Sequence, residues 1–129
     1  MNKYRSTPTL GFDSRAERLR FEQLRLLERA GQISDLACQF PLPVTPDGCP
    51  PRHLIVDFVY RTKTPNVIAG VPEGALIAED VKSKATETQL WALKWHLARF
   101  YHQDYTWITS YLVKRGYFRT RIWPSPPTR

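Results

Sequence analysis

One run of β-prone residues constrains the fold of this chain more than any other feature. Residues 53–60 read His-Leu-Ile-Val-Asp-Phe-Val-Tyr, and branched and aromatic residues at this density favour a strand. In a strand that is buried on both faces, an unpaired charge has a high cost in free energy. Asp57 must therefore lie at a strand end, in a cleft or beside a partner. The sequence predicts a sheet with a carboxylate inside it.

The rest of the chain predicts helices and further strands around this run. Ser14-Arg15-Ala16-Glu17 fits a capping box and predicts a helix that ends near Gly31. A second candidate capping box at 86–89 predicts a helix to about residue 101. The core stripe predicted for this helix consists of Leu90, Leu93, Leu97 and Phe100. Strands are predicted near 33–44, 53–60, 75–82, 105–113 and 117–123. The order is α-β-β-β-α-β-β, which indicates a mixed sheet flanked by helices, in the α/β class.

Length and composition favour one domain over residues 1–129. The chain has 129 residues and is 42% hydrophobic, which suffices for one core. Residues 1–12 are interpreted as an extended arm and residues 124–129 as a Pro-rich tail. No apolar run is long enough to span a bilayer, and the polar N-terminus is unlike a signal peptide. We therefore expect a cytoplasmic protein with no membrane partner, whose two cysteines are reduced thiols and form no zinc site.

The positive charge is concentrated in the second part of the chain. The net charge is +7, and residues 83–129 contribute eight Lys/Arg against two Asp/Glu. Such a basic segment favours a polyanionic partner, because each neutralised phosphate releases counterions. The alternative is that a soluble protein is this basic without any specific partner.

Asp80 and Lys82 are the second feature that points to chemistry. They lie two residues apart on the predicted strand 75–82, so both side chains share one face. Adjacent strands can bring Asp57 next to Asp80, and two close carboxylates repel each other unless a cation lies between them. Oxygen ligands suit Mg²⁺, and a neighbouring lysine can orient water. The alternative is an ordinary solvated cluster of charges on the two strands.

Four short stretches, taken together, resemble a known family. They are Phe12-Asp13-Ser14-Arg15-Ala16-Glu17, Ile33-Ser34-Asp35-Leu36, Val56-Asp57-Phe58 and Glu79-Asp80-Val81-Lys82-Ser83. The chain resembles the PD-(D/E)xK nuclease superfamily, and within it a small phage-type family akin to Holliday-junction resolvases. The residue before Asp57 is Val56, where the family name has proline. The resemblance implies a restriction-endonuclease-like mixed β-sheet core flanked by helices.

The resemblance also implies roles for individual residues. Asp57 would be the central metal ligand and Asp80 the second acid, with the carbonyl of Val81 as a further ligand. Lys82 would position the attacking water, and Glu17 would reach the site from the first helix. The residues themselves leave an alternative for Glu17, which fits the third helical position of its capping box. Glu79 alternates to the opposite face from Asp80, which predicts a structural or supporting role.

The function implied is that of a Mg²⁺-dependent endodeoxyribonuclease, with Mn²⁺ as an alternative ion. The resemblance further implies branched DNA as substrate, a homodimer, and the host cytoplasm if the chain is phage-encoded. The predicted nucleic-acid-binding residues are Lys84, Lys94, Arg119 and Arg121. Each has an alternative as an ordinary surface charge. Trp91 and Trp95 are interpreted as residues of the core or of a subunit interface, with stacking on nucleic-acid bases as the alternative. Two rival hypotheses are a non-enzymatic nucleic-acid-binding protein and a module that binds another protein through Leu19 and Leu26.

Overall fold

Within residues 14–125, two helices and five strands follow one another in the predicted order. The computed structural model describes residues 14–125, so the predicted arm at 1–12 and residues 126–129 of the predicted tail lie outside the described residues. The elements are α1 (Arg15–Arg29), β1 (Ile33–Pro43), β2 (His53–Thr62), β3 (Leu76–Val81), a short 3₁₀ turn (Lys84–Thr86), α2 (Gln89–Tyr101), β4 (Tyr105–Lys114) and β5 (Tyr117–Trp123). The predicted α/β class is confirmed.

All five strands form one sheet in the order β1-β2-β3-β4-β5. Neighbouring strands are antiparallel except β3 and β4, which are parallel. A parallel pair cannot be joined by a tight turn, and here α2 makes the crossover from β3 to β4. The sheet is therefore mixed, as predicted, with β1 and β5 at its edges.

The two helices pack against different clusters of buried side chains. Phe21 and Leu24 of α1 pack with Phe58 and Ile77 of the sheet. On α2, Trp95 and Ala98 belong to a second cluster, which also contains Val56, Val59 and Trp107. The sheet is thus covered by α1 on one face and by α2 on the other, which buries the middle part of its central strands.

The limits of α1 follow from local chemistry. The Ser14 hydroxyl accepts a hydrogen bond from the Glu17 amide at 3.1 Å, which satisfies one of the free N–H groups of the first turn. After α1 the chain turns at Gly31, whose φ of +77° is readily adopted only by glycine. The predicted first helix is confirmed at both ends.

The predicted orientation of α2 is wrong. Leu90, Leu93 and Phe100 are 63%, 57% and 51% exposed, and of the four predicted stripe residues Leu97 alone packs against the core. The opposite side of the helix, with Trp95 and Ala98, is buried instead. Both sides of α2 are apolar, and the larger volume of the indole rings decides which side fills the space over the sheet. The predicted capping box also differs: the helix is capped by Thr88, while Thr86 closes the preceding 3₁₀ turn with Ser83.

The loop between β2 and β3 folds away from the acidic residues. Its Ile68 and Val71 are buried in the cluster under α1. The loop follows the end of the hairpin where Arg61 pairs with Leu76, whereas Asp57 and Asp80 lie beyond the opposite end of the paired segment. The connection between β2 and β3 is longer than a tight hairpin turn, but because it lies at the other end of the hairpin it leaves Asp57 and Asp80 free to face each other.

Candidate functional site

β2 and β3 separate at the position where the two aspartates face each other. The backbone pairing of these strands ends with Phe58 opposite Glu79, and one further step in the same register places Asp57 opposite Asp80. At this position the aspartate carboxylates, and not backbone carbonyl groups, accept hydrogen bonds from the amides of the opposite strand. The amide of Asp57 donates to Asp80 Oδ1 at 2.8 Å, and the amide of Val81 donates to Asp57 Oδ2 at 2.8 Å. Each aspartate is therefore fixed by a backbone group of the other strand.

Lys82 and Trp91 complete the surroundings of Asp80. Lys82 Nζ lies 3.6 Å from Asp80 Oδ2, and the indole N–H of Trp91 donates to the same oxygen at 2.8 Å. The Lys82 ammonium also lies 4.8 Å from the centre of the Trp91 ring, a cation–π distance. Trp91 in turn stacks on the buried Trp95, with ring centres 5.0 Å apart. A residue of α2 thus positions both the acid and the lysine.

Glu17 and Gln39 bring α1 and β1 to the same place. Gln39 Nε2 donates to Glu17 Oε2 at 2.7 Å and lies 3.3 Å from Asp57 Oδ1, so one amide group joins the two acids. Glu17 is only 5% exposed. Its backbone N–H binds the Ser14 cap while its carboxylate faces Gln39. The half of the capping box that uses the Glu17 backbone N–H is present, and this half leaves the carboxylate available to Gln39.

An unusual backbone conformation directs Gln39 into the site. Its φ is +51°, which non-glycine residues adopt rarely and at a cost of about 1–3 kcal/mol. Residues two apart on a regular strand share a face, yet Cys38 packs on the α1 side and Phe40 packs on the α2 side. The strand therefore rotates at this residue.

The site concentrates negative charge in a nearly closed space. Burial is the main reason that the pKa of Asp57 lies well above its ordinary range, and the charges of Asp80 and Glu17 raise this pKa further. Burial also raises the pKa of Asp80, although Lys82, the Asp57 amide and Trp91 oppose the effect. Asp80 is 2% exposed. A cation among these carboxylates would offset their mutual repulsion.

The donor atoms fit a hard cation that keeps several of its own waters. Over residues 14–125 no three His, Cys, Asp or Glu side chains form a ready-made metal-binding group. The pair Asp57–Asp80 supplies carboxylate oxygens only, and Mg²⁺ is commonly held by one or two carboxylates together with water and substrate phosphate. Glu17 stands one amide group away from Asp57. The residues present therefore suit a two-aspartate Mg²⁺ site with Glu17 at its border.

Glu79 lies on the opposite face of the sheet and serves a different purpose. Its buried carboxylate accepts hydrogen bonds from Arg20 Nε and Nη2, at 2.6 and 3.2 Å. Tyr60 and Ser110 each donate a hydroxyl hydrogen bond at 2.6 Å. The alternation along β3 predicted this placement, and the contacts tie α1 to three strands of the sheet.

The four predicted nucleic-acid-binding residues lie in two regions. Lys84 is exposed in the 3₁₀ turn directly after β3, and Lys94 is half-buried on α2, one helical turn after Trp91. Arg119 and Arg121 are exposed on the edge strand β5. Because β5 pairs with β4 and β4 with β3, these arginines lie two strands away from Asp80.

Two residues of the site were missed by sequence reasoning. Gln39 carries no signal, since it is one polar residue in an edge strand and its role depends on a rotated backbone. The sequence predicts packing or base stacking for Trp91, and neither predicts a contact with Asp80. The spacing of Trp91 and Trp95 along the helix predicts the packing of the two rings, which the structure contains. The hydrogen bond from Trp91 to Asp80 depends instead on how α2 lies over the sheet.

Comparison of the chain with protein-family models, with curated proteins and with solved structures gives no match. Within the described part of the chain, neither helix has the length and apolar character needed to cross a membrane.

Proposed function

We propose that this protein is a metal-dependent endodeoxyribonuclease with a restriction-endonuclease-like core, as the family resemblance implies. The observation that carries the proposal is the separation of β2 and β3, where Asp57 and Asp80 are fixed together beside Lys82. Asp80 is buried and Asp57 half-buried, and both have raised pKa values, so the pair is unfavourable in its ionised form and a bound cation would stabilise it. The nearby ammonium group is suited to the chemistry of phosphate esters.

The residues that would hold Mg²⁺ or Mn²⁺ are Asp57 and Asp80, with the carbonyl oxygen of Val81 and the carboxylate of Glu17 as further candidates. When bound, such an ion lowers the pKa of a coordinated water and offsets charge on the phosphate. Gln39 supports the arrangement, because its amide links Glu17 to Asp57.

The chain itself supplies charge and orientation. Lys82 is held between Asp80 and the Trp91 ring, so its ammonium group has a defined position from which it can orient water and stabilise charge developing on phosphorus. Lys84, Lys94, Arg119 and Arg121 would bind the substrate backbone. Branched DNA as the substrate and a homodimer as the active form are part of the same proposal.

A second candidate function is nucleic-acid binding without catalysis. The observation that favours it is the absence, over residues 14–125, of a ready-made three-residue metal group, together with the Gln39 amide between Glu17 and Asp57. On this hypothesis the acids and the lysine stabilise the separated strands, and the basic surface provides the function.

Cleavage and binding experiments distinguish the two candidates. Purified protein is incubated with plasmid, linear duplex and four-way-junction DNA in Mg²⁺, Mn²⁺ or EDTA. Asp80→Asn and Lys82→Met test the site, and Glu22→Gln, an exposed position on α1, is the control. We expect metal-dependent cutting that both site variants reduce by about 10²-fold or more, with DNA binding in EDTA retained.

Binding without cutting in every ion would establish the second candidate instead. Cutting that persists in Asp80→Asn would contradict the assignment of the site even if the protein is a nuclease. Sedimentation of the protein alone and with junction DNA tests the proposed homodimer.

A further inference from the structure

Each of the two exposed arginines on β5 lies over an aromatic ring. The Arg121 guanidinium is 3.6 Å from the centre of the Trp123 ring, and that of Arg119 is 5.5 Å from the centre of the Tyr111 ring. An arginine that lies over a ring is held by cation–π attraction and has fewer conformations to lose on binding. These two side chains are therefore pre-positioned, unlike freely mobile surface arginines.

The described residues give neither arginine an acidic partner. Among residues 14–125, no carboxylate forms an ion pair with Arg119 or Arg121, and neither guanidinium has a hydrogen-bond partner within the same residues. The acid associated with this group is Glu87, and it accepts a hydrogen bond from the Tyr111 hydroxyl. The N–H donors of both arginines remain available to a ligand.

A third cation strengthens the positive field. Arg99 of α2 is nearly buried, and its guanidinium lies 5.1 Å from the centre of the same Trp123 ring. Its partners are His96 and the carbonyl oxygen of Pro124, neither of which is an acid. Burial and the charge of Arg121 lower the pKa of Arg99. An anion placed at Arg121 would relieve the repulsion between these two cations.

The strand register connects this group to the acidic site. Asp80 pairs with Thr109 on β4, and Thr109 pairs with Arg121 on β5. Two steps between neighbouring strands amount to about 10 Å. Lys82 lies two residues after Asp80, while Tyr111 lies two residues after Thr109 and pairs with Arg119. The same face of the sheet thus carries the acids, then the lysine, then two arginines.

We infer that Arg119 and Arg121, held by Tyr111 and Trp123, form a phosphate-binding rail that contacts the nucleic-acid backbone beside the Asp57–Asp80 site. Backbone phosphate is favoured over a stacked base because the guanidinium groups already cover the rings. Paired guanidinium N–H donors match phosphate oxygens, and such contacts are independent of base sequence. The inference rests on the proposed function only in taking nucleic acid as the ligand.

Binding in EDTA tests the rail without requiring cleavage. The probes are a fluorescein-labelled single strand and a duplex of about 20 nucleotides, titrated over a range of salt concentrations. Arg119→Ala/Arg121→Ala removes the rail. The control, Arg29→Ala/Arg52→Ala, removes two exposed arginines elsewhere on the surface. Arg119→Lys/Arg121→Lys retains the charge but not the planar group that lies on the ring.

We expect the double alanine variant to bind on the order of 100-fold more weakly at low salt, about tenfold for each arginine. The slope of log K against log salt should decrease by about 0.7–0.9 per lost phosphate contact. The control should change affinity by less than about threefold, and the lysine variant should lie between wild type and the alanine variant. Circular dichroism confirms that the exposed substitutions leave the fold intact.

Equal affinity and salt slope for the rail variant and the control would overturn the inference, whether or not the protein cuts DNA. A lysine variant that binds as well as wild type would refute the role of the rings. Conversely, a protein that binds through these arginines but never cuts leaves the rail in place and removes only the proposed nuclease activity.

Discussion

Replacing Glu79 measures how strongly the buried Arg20–Glu79 pair holds α1 on the sheet. Glu79 accepts four hydrogen bonds, two of them from the Arg20 guanidinium. Glu79→Gln keeps the shape of the side chain but leaves the guanidinium without a counter-charge. Removing one partner of a buried ion pair costs about 3–5 kcal/mol in the free energy of unfolding.

Because both partners are buried, we expect a loss in the upper part of the range of about 3–5 kcal/mol. The Arg20 side chain is 11% exposed and that of Glu79 is 0% exposed, so water cannot replace the lost charge. For a domain of this size, 1 kcal/mol shifts Tm by about 3–5 °C, so a loss of about 4–5 kcal/mol predicts a decrease of about 12–25 °C. The matched control is Glu22→Gln, which breaks the exposed Arg18–Glu22 contact on the same helix and should cost less than about 1 kcal/mol.

Urea unfolding of a double-mutant cycle provides the measurement. The cycle contains Arg20→Met, Glu79→Gln and the double variant, in which the introduced amide oxygen can still accept a hydrogen bond from a hydroxyl group. We expect the double variant to lose at least about 2 kcal/mol less than the sum of the single losses, because neither charge is then buried alone. Losses that add to within about 0.5 kcal/mol would refute the reasoning.

Three further predictions concern the acidic site and the cysteines. Trp91→Phe keeps a ring beside Lys82 but removes the hydrogen bond to Asp80, so we expect metal-dependent cleavage to fall about tenfold, with an unchanged circular dichroism spectrum. Because the folded-state pKa of Asp57 is raised above the ordinary 3.8, the folded state binds more protons than the unfolded state between those two values. Stability in EDTA should therefore decrease as pH rises through this interval; Asp57→Asn or added Mg²⁺ should weaken the decrease in Tm, and a Tm that instead rises with pH would contradict the prediction. Burial and nearby acids raise the pKa of the Cys38 thiol to about 12, from 9.0, so its thiolate fraction falls about 10³-fold. A disulfide exchange reagent should therefore label the exposed Cys49 first, and equal rates in the single Cys→Ser variants would exclude this shift.

The element order was predictable because its signals are local. The cap at Ser14, the glycine after α1 and the β-prone run at 53–60 each act within a few residues, and the structure contains all three. Asp80 and Lys82 share a face for the same reason, since alternation along a strand is a local rule.

The features that the sequence did not predict depend on contacts between segments that are distant along the chain. α2 has two apolar sides, and no local rule states which one covers β2 and β4; the fit of Trp95 among other tryptophan rings decides it. The bond from Trp91 to Asp80 and the rotated backbone of Gln39 have the same origin. The positions of the two aspartates could be predicted from the sequence, but not the side chains that hold them.

The reciprocal bonds between the two aspartates and the opposing backbone amides have a consequence for how this chain can change. In most sheets a substitution alters side chains and leaves the backbone hydrogen bonds between strands intact. Here two of the hydrogen bonds between β2 and β3 are made by carboxylates. Truncating either acid to alanine should leave a buried amide without an acceptor, at about 1–3 kcal/mol, in addition to any effect on chemistry. Folding itself therefore opposes truncation at either position, and a descendant would be expected to keep a hydrogen-bond acceptor at both.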